Sequence, residues 1–218
     1  MPKRSLAHIL YDFIGHCFCR LCLLWWKLRD IVARPKTKAI LFVAHPDDDA
    51  LFFHSFIKEN KPYVVLLFTG WSLIRLFGFI KTMRHYGVRF RAYDTISAKA
   101  YKDANRRTMV ERHVEACLKV ADFEMCATHN ATGEYGHSSH RLVHESVAKI
   151  VGGKIPVLCP VEQDEVSAYP LTKELYQEKE MIFHRFYSSE AWVLEQYSMW
   201  ARNEKLMPIL SGCKCLEV

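Results

Sequence analysis

Residues 39–49 read Ala-Ile-Leu-Phe-Val-Ala-His-Pro-Asp-Asp-Asp, and the change of character at His45 decides the fold. The first six form a continuous apolar run with β-branched and aromatic members, the pattern of a strand covered on both faces. Pro46 has no N–H with which to continue a ladder, and the aspartates behind it suit the first turn of a helix. That helix is expected to run through Ala50, Leu51, Phe52 and Phe53 to about Asn60.

Working outward, the same alternation recurs. Residues 63–69 read as a second buried strand closed by Gly70, and residues 103–120 carry helical spacing in Met109, Val110, Val114, Cys117 and Leu118. A strand at about 124–128, a helix over 141–151, a strand over 156–161 and a helix over 171–187 complete the pattern. Strand and helix in alternation predict an α/β, Rossmann-like three-layer fold with a mainly parallel sheet. In such sheets ligands sit at the carboxyl ends of the strands, so chemistry is expected just after Val43, Phe68 and Thr128.

The 218 residues are half hydrophobic and a quarter charged, with 9 Gly and 8 Pro, enough for one sizeable core and incompatible with a collagen-like or disordered chain. The net charge of +6 is moderate, and without zinc-finger spacing, basic zipper or RNP-like strand no nucleic-acid partner is expected. The eight cysteines include Cys117, Cys126 and Cys159 set singly among apolar residues. This pattern points to free thiols in a reducing, cytoplasmic compartment. Cys17, Cys19 and Cys22 match no standard zinc spacing.

Residues 1–35 stand apart from the domain expected over 36–218. Between residues 6 and 26 the chain is apolar except for His8, Asp12, His16 and Arg20, which fall at i, i+4, i+8 and i+12 and form one polar stripe on a helix. A lone spanning helix would expose Asp12 and Arg20 to lipid at roughly 2.5 to 3.5 kcal/mol each. An interfacial amphipathic helix at a membrane surface, a helix packed on the domain and an uncleaved signal anchor stay open as readings. Ala33-Arg-Pro-Lys-Thr-Lys38 reads as the linker.

At the end of the first strand, an imidazole and three carboxylates crowd into one turn, His45-Pro46-Asp47-Asp48-Asp49. Like charges so close repel, and a divalent cation resolves the repulsion. If helix starts after Pro46, His45 and Asp48 are three apart and converge on one ion, while Asp47 points elsewhere. After the third strand comes His129-Asn-Ala-Thr-Gly133-Glu134-Tyr135-Gly136-His137-Ser-Ser-His140, whose glycines permit a tight loop presenting His137 and His140 to the same crevice.

Ala44-His45-Pro46-Asp47-Asp48 together with Gly136-His137-Ser-Ser-His140 resembles the PIG-L/LmbE family of zinc-dependent N-deacetylases. The resemblance covers the domain from about Ala39 to Tyr187 and leaves out the first 35 residues and the middle stretch. It implies a hydrolase that removes the acetyl group from an N-acetylglucosamine-type sugar in a glycoconjugate. Carried over, it makes His45, Asp48 and His140 the ligands of Zn2+, Asp47 the general base that takes a proton from zinc-activated water, and His137 the acid or oxyanion-stabilising group. The sequence departs from the family's usual glutamate at Asp49 and from its frequent aspartate at Ser139, so a carboxylate for orienting a histidine is missing there.

Residues 71–91 look like an insertion, basic through Arg75, Lys81, Arg84, Arg89 and Arg91, interleaved with aromatics and without a single acid. Two readings apply, a packed helix with a solvated basic edge and a substrate-facing flap. On the second, Arg75, Arg84 and Arg89 join Tyr135 as expected substrate-binding residues. A lipid-linked or lipopolysaccharide-like glycan at a membrane surface is then favoured over a soluble thiol precursor or an inositol-linked or antibiotic glycoside. A reading of another class is a non-catalytic metal- or sugar-binding module. The unliganded carboxylate of Asp47 separates the two classes, since a binder has no use for it.

Overall fold

The computed structural model describes residues 35–69, 72–93 and 104–209. The expected N-terminal helix, Trp71, and the cysteines at 17, 19, 22, 213 and 215 lie outside them. β1 (Ala39–Val43) is wholly buried and occupies the middle of the sheet. It is flanked by β2 (Tyr63–Leu66) and β4 (Met125–Ala127), both parallel to it. β3 (Phe90–Ala92) and β5 (Val157–Pro160) extend the sheet in parallel, and β6 (Leu206–Pro208) closes one edge antiparallel to β5. The order β3-β2-β1-β4-β5-β6 is that of a doubly wound Rossmann-like sheet, with its switch point between β1 and β4.

Because strand side chains alternate, β1 feeds two cores. Ala39, Leu41 and Val43 face one layer, built from α1 (Asp48–Phe52), α2 (His54–Asn60), α3 (Leu73–Tyr86) and, further along the chain, α7 (Lys173–Phe186). Ile40 and Phe42 face the other, built from α4 (Ala104–Leu118) and α5 (Ser138–Val151). The short helices α6 (Gln163–Val166), α8 (Val193–Gln196) and α9 (Ser198–Arg202) bring the last segment back onto the first layer. The crossovers that join β1, β2 and β3 pack on the first layer and those that join β3, β4 and β5 on the second, as right-handed connections require.

Three expectations need correction. The helix expected from Ala50 to Asn60 is broken at Phe53 (φ −131°, ψ 18°) into α1 and α2. The buried ammonium of Lys179, on α7, donates to the carbonyl of Leu51 at 2.8 Å and so satisfies a group the break releases. Of the two readings of residues 71–91, the packed helix with a basic edge holds, and the helix is the β2–β3 crossover rather than an insertion. In it α3 buries Leu76, Phe79, Ile80 and Met83, and it lies so close to α7 that a Cβ at Gly78 would come 2.5 Å from the Phe186 carbonyl. β3 and β6 are additional strands. Cys117, Cys126 and Cys159 are free and buried, as expected, and no helix among the described residues is long and apolar enough to cross a membrane.

Candidate metal and catalytic site

The loops after β1 and β4 meet at the switch point. Following β1, the backbone turns sharply at Asp47, which adopts φ 96°, a left-handed conformation costly for a side chain of this kind. Its N–H donates to Asp49 Oδ1 (3.2 Å), and Asp49 Oδ1 also accepts the Tyr187 hydroxyl (2.7 Å) from the end of α7. Asp49 is therefore a buried brace for the turn, and burial, partly offset by Tyr187, raises its carboxyl to about 7. Asp48 Oδ2 accepts the His45 N–H at 2.6 Å and stands 3.4 Å from His45 Nδ1.

After β4, residues 129–137 form a cross-braced loop around Glu134. Asn130 N–H donates to Glu134 Oε1 (3.0 Å), while Glu134 N–H returns to Asn130 Oδ1 (2.8 Å). Gly133 has φ 76°, and a Cβ there would meet the His137 carbonyl at 2.6 Å, so only glycine fits. The buried Glu134 carboxylate accepts His140 Nδ1–H at 2.7 Å and His129 Nδ1–H at 3.2 Å. Burial alone would raise it, but the adjacent His129 and the hydrogen bonds from His129 and His140 bring Glu134 down to about 2.

These bonds fix the tautomers. The Nε2 lone pair of His129 accepts the Ala44 N–H at 3.0 Å, so His129 is tied to the backbone of β1. His140 Nε2 has no such partner; it is buried, makes no hydrogen bond and lies 3.3 Å from Asp48 Oδ2. Ring nitrogens of His45, His137 and His140 approach within 4.8 Å of one another, as do the ligand atoms of Asp48, His129 and His140. A buried imidazole lone pair beside a carboxylate and a second imidazole is a donor set that fits a divalent cation.

The electrostatics agree. Burial opposes charge on both partners, yet His140 is pushed up to about 10 by the charge of Asp48 and by its hydrogen bond to Glu134. Asp48 is held well below the usual carboxylate range, against its burial, by His140, His129 and His45. Two buried anions thus concentrate demand for positive charge at His140 Nε2, and a proton or a metal ion meets it.

Asp47 stands outside this cluster. Its Oδ1 accepts from Arg75 Nη2 (2.8 Å), which also donates to the Pro46 carbonyl (2.9 Å), and Arg75 Nε lies 3.5 Å from Glu190. Burial, countered by Arg75 and reinforced by Asp48 and Glu190, raises the Asp47 carboxyl well above its ordinary value. His137 caps α5, its Nδ1 accepting the Ser139 N–H at 3.2 Å, which leaves Nε2–H as a donor. Burial and the neighbouring His140 and His45 lower His137 to about 4, which leaves its imidazole a neutral N–H donor.

The crevice, about 300 Å³, is lined by His45, Asp47, Asp48 and His137. Its walls are Arg75, Glu190 and the apolar or aromatic Leu51, Tyr135, Trp192, Val193 and Tyr197. Tyr135 stacks on Tyr197 with ring centroids 4.3 Å apart. Seven of the nine residues singled out from the sequence therefore converge: His45, Asp47, Asp48, His137, His140, Arg75 and Tyr135. Arg84 and Arg89 do not. Arg84 is exposed in the last turn of α3, and Arg89 lines a separate hollow with Lys36, Lys61 and Gly87, near the amino end of β3.

Glu134, His129, Glu190 and Tyr187 belong to the site's immediate surroundings and were not assigned there from the sequence. Glu134 supplies the histidine-orienting carboxylate missing at Ser139. Its signal was a carboxylate between two glycines ahead of His137.

No family model matches the chain. A sequence relative is an uncharacterized protein of Acanthamoeba polyphaga mimivirus, 25% identical over 125 residues. The alignment takes in 50% of this chain and 55% of that protein, so the chain spans about half the length of the curated relative it matches. Among solved structures, the antimicrobial A40926 pseudoaglycone deacetylase Dbv21 superimposes with TM-score 0.56 at 14% identity, covering 73% of this chain and 85% of that one. The conserved protein TT1542 from Thermus thermophilus does so with TM-score 0.53 at 10% identity, covering 82% and 97%. At these identities the comparisons establish a shared fold.

Proposed function

We propose that this chain is a metal-dependent deacetylase that hydrolyses the acetamide of an N-acetylated amino sugar in a glycoside. The observation that carries the proposal is the unpartnered, buried Nε2 of His140 held by Glu134 against Asp48, with the separate carboxylate of Asp47 lining the crevice beside Asp48. The sequence motifs of PIG-L/LmbE type and the fold shared with a pseudoaglycone deacetylase support the same reading.

His45, Asp48 and His140 would hold the cation, which when bound supplies Lewis acidity to the substrate carbonyl and lowers the pKa of water; zinc suits this mixed His/Asp set, as do other divalent metals. Asp47, fixed through Oδ1 by Arg75, takes the proton of the attacking water. Its raised pKa lets it keep that proton and pass it to the departing sugar amine. His137 Nε2–H and the Tyr135 hydroxyl, kept protonated by burial and nearby Asp48, donate to the developing oxyanion. The Tyr135–Tyr197 stack and Trp192 offer apolar faces to a sugar ring.

The test is mass spectrometry of N-acetylglucosamine-bearing glycans after incubation with cation-loaded protein. Loss of one acetyl group with the wild type, and none with Asp47→Asn, is expected. Cation binding without deacetylation of any acetamido sugar would replace this reading with that of a binding module.

A further inference from the structure

We propose that the outer face of α3 is a docking surface for an anionic phospholipid membrane, set beside the crevice. In α3 the residues at 74, 77, 81 and 84 follow i, i+3, i+7 and i+10 and so share one face about 80° wide. That face is Ile74, Phe77, Lys81 and Arg84, all exposed, while Leu76, Phe79, Ile80 and Met83 point into the core. Ile74 is 63% and Phe77 41% exposed, large values for such side chains on a helix that has ample core to fill.

The placement relates the face to the site. Arg75, next to Ile74, lines the crevice and holds Asp47, so the amino-terminal end of α3 borders the crevice. The apolar pair thus lies at the crevice end of α3 and the basic pair at the end away from it. This polarity suits a helix lying along a bilayer, with aromatic and aliphatic groups in the headgroup boundary and cations on lipid phosphates.

Charge complementarity selects an anionic surface. From Ser72 to Ala92 the chain has no acidic residue. Glu178, from the neighbouring α7, is engaged by Lys58 and by His85 and adds no free negative charge beside the face. A second copy of the chain would present the same basic helix to itself. The surface stands on these observations alone; its consequence, that the crevice takes its sugar from a lipid-linked glycan, rests on the proposed deacetylase reading.

The full chain should co-sediment with vesicles of phosphatidylcholine and phosphatidylglycerol, and much less with phosphatidylcholine alone. Near an anionic surface each basic side chain is worth roughly fivefold in partitioning, so Lys81→Glu with Arg84→Glu should lower binding by about twentyfold or more. Ile74→Ser with Phe77→Ser should lower it by about tenfold. Circular dichroism melts and acetate release from a soluble acetamido glycoside should be unchanged in both double variants.

Vesicle binding undiminished in the variants would overturn the proposal by placing attachment elsewhere in the chain, and so would failure of the wild type to bind either vesicle. Sedimentation of the wild type as a dimer dispersed by Phe77→Ser would assign the face to a second copy. Vesicle binding lost as predicted, with no acetate released by any form, would uphold the surface and reject the deacetylase reading.

Discussion

Glu134→Gln probes the organisation of the site with almost no change of volume. The carboxylate accepts from His140, His129 and the Asn130 N–H at once, whereas an amide has one accepting oxygen and must turn its NH2 toward one of the imidazoles. If that imidazole is His129, its Nε2 must carry the proton and then faces the Ala44 N–H donor to donor; if it is His140, Nε2 loses the lone pair offered to the cation. A folded value of about 2 against an ordinary 4.5 corresponds to about 3 kcal/mol of stability at neutral pH. For a domain of this size that is a fall in Tm of about 6 to 12 °C. The folded pKa is depressed, so the wild type's advantage is complete above about pH 4.5 and fades as pH falls toward 2. Cation affinity, read by competition with a chromophoric chelator, should drop by about 10- to 100-fold. A variant that melts with the wild type and binds cation equally well refutes the assigned tautomers and the role of Glu134.

Other consequences are as direct. Without metal, His140 is pushed up to about 10, so its contribution is complete below pH 6.5 and lost as pH rises toward 10. Urea titrations of metal-free protein should show that loss, and saturating divalent cation should abolish it. Gly133→Ala, strained at φ 76° and crowded by the His137 carbonyl, should cost about 1 to 3 kcal/mol in denaturant titration and lower cation affinity as the loop shifts. Lys179→Met leaves Glu204 without its cation and the Leu51 carbonyl without its donor, and should cost about 3 to 5 kcal/mol, measured by the same titration. Asp47→Asn should keep cation affinity within a few-fold while lowering kcat by about 10²- to 10⁴-fold.

The features legible in the sequence share a physical basis. β1 and β2 announce themselves because strands buried on both faces are apolar without interruption. The cluster after β1 stands out because carboxylates so crowded require a counter-charge. Hence His45, Asp47, Asp48, His137 and His140 can all be picked out from the chain alone. β3 and β6 escaped because edge strands of three residues, Phe-Arg-Ala and Leu-Met-Pro, carry too little pattern, and a proline is tolerated only at such an edge. The break at Phe53 has no local marker, since the group that accommodates it, Lys179, reaches the Leu51 carbonyl from 128 residues away.

The same distinction applies within the site. Tyr187, which steadies Asp49, and Glu190, which approaches Arg75, come from a segment whose position is set by the packing of α7 on α3. Glu134 was within reach of sequence reasoning as a loop carboxylate beside two metal-type histidines, but its partners required the geometry. Arg84 and Arg89 were misplaced because charge alone does not say which end of a helix or strand faces a crevice.

The most direct measurement is acetate release from a panel of N-acetylated amino-sugar glycosides, made on protein of known metal content with Asp47→Asn in parallel. The account predicts about one divalent cation per chain in both proteins, with acetate released by the wild type alone and abolished by chelation. Cation bound in both and acetate released by neither, or released undiminished after chelation, would contradict it.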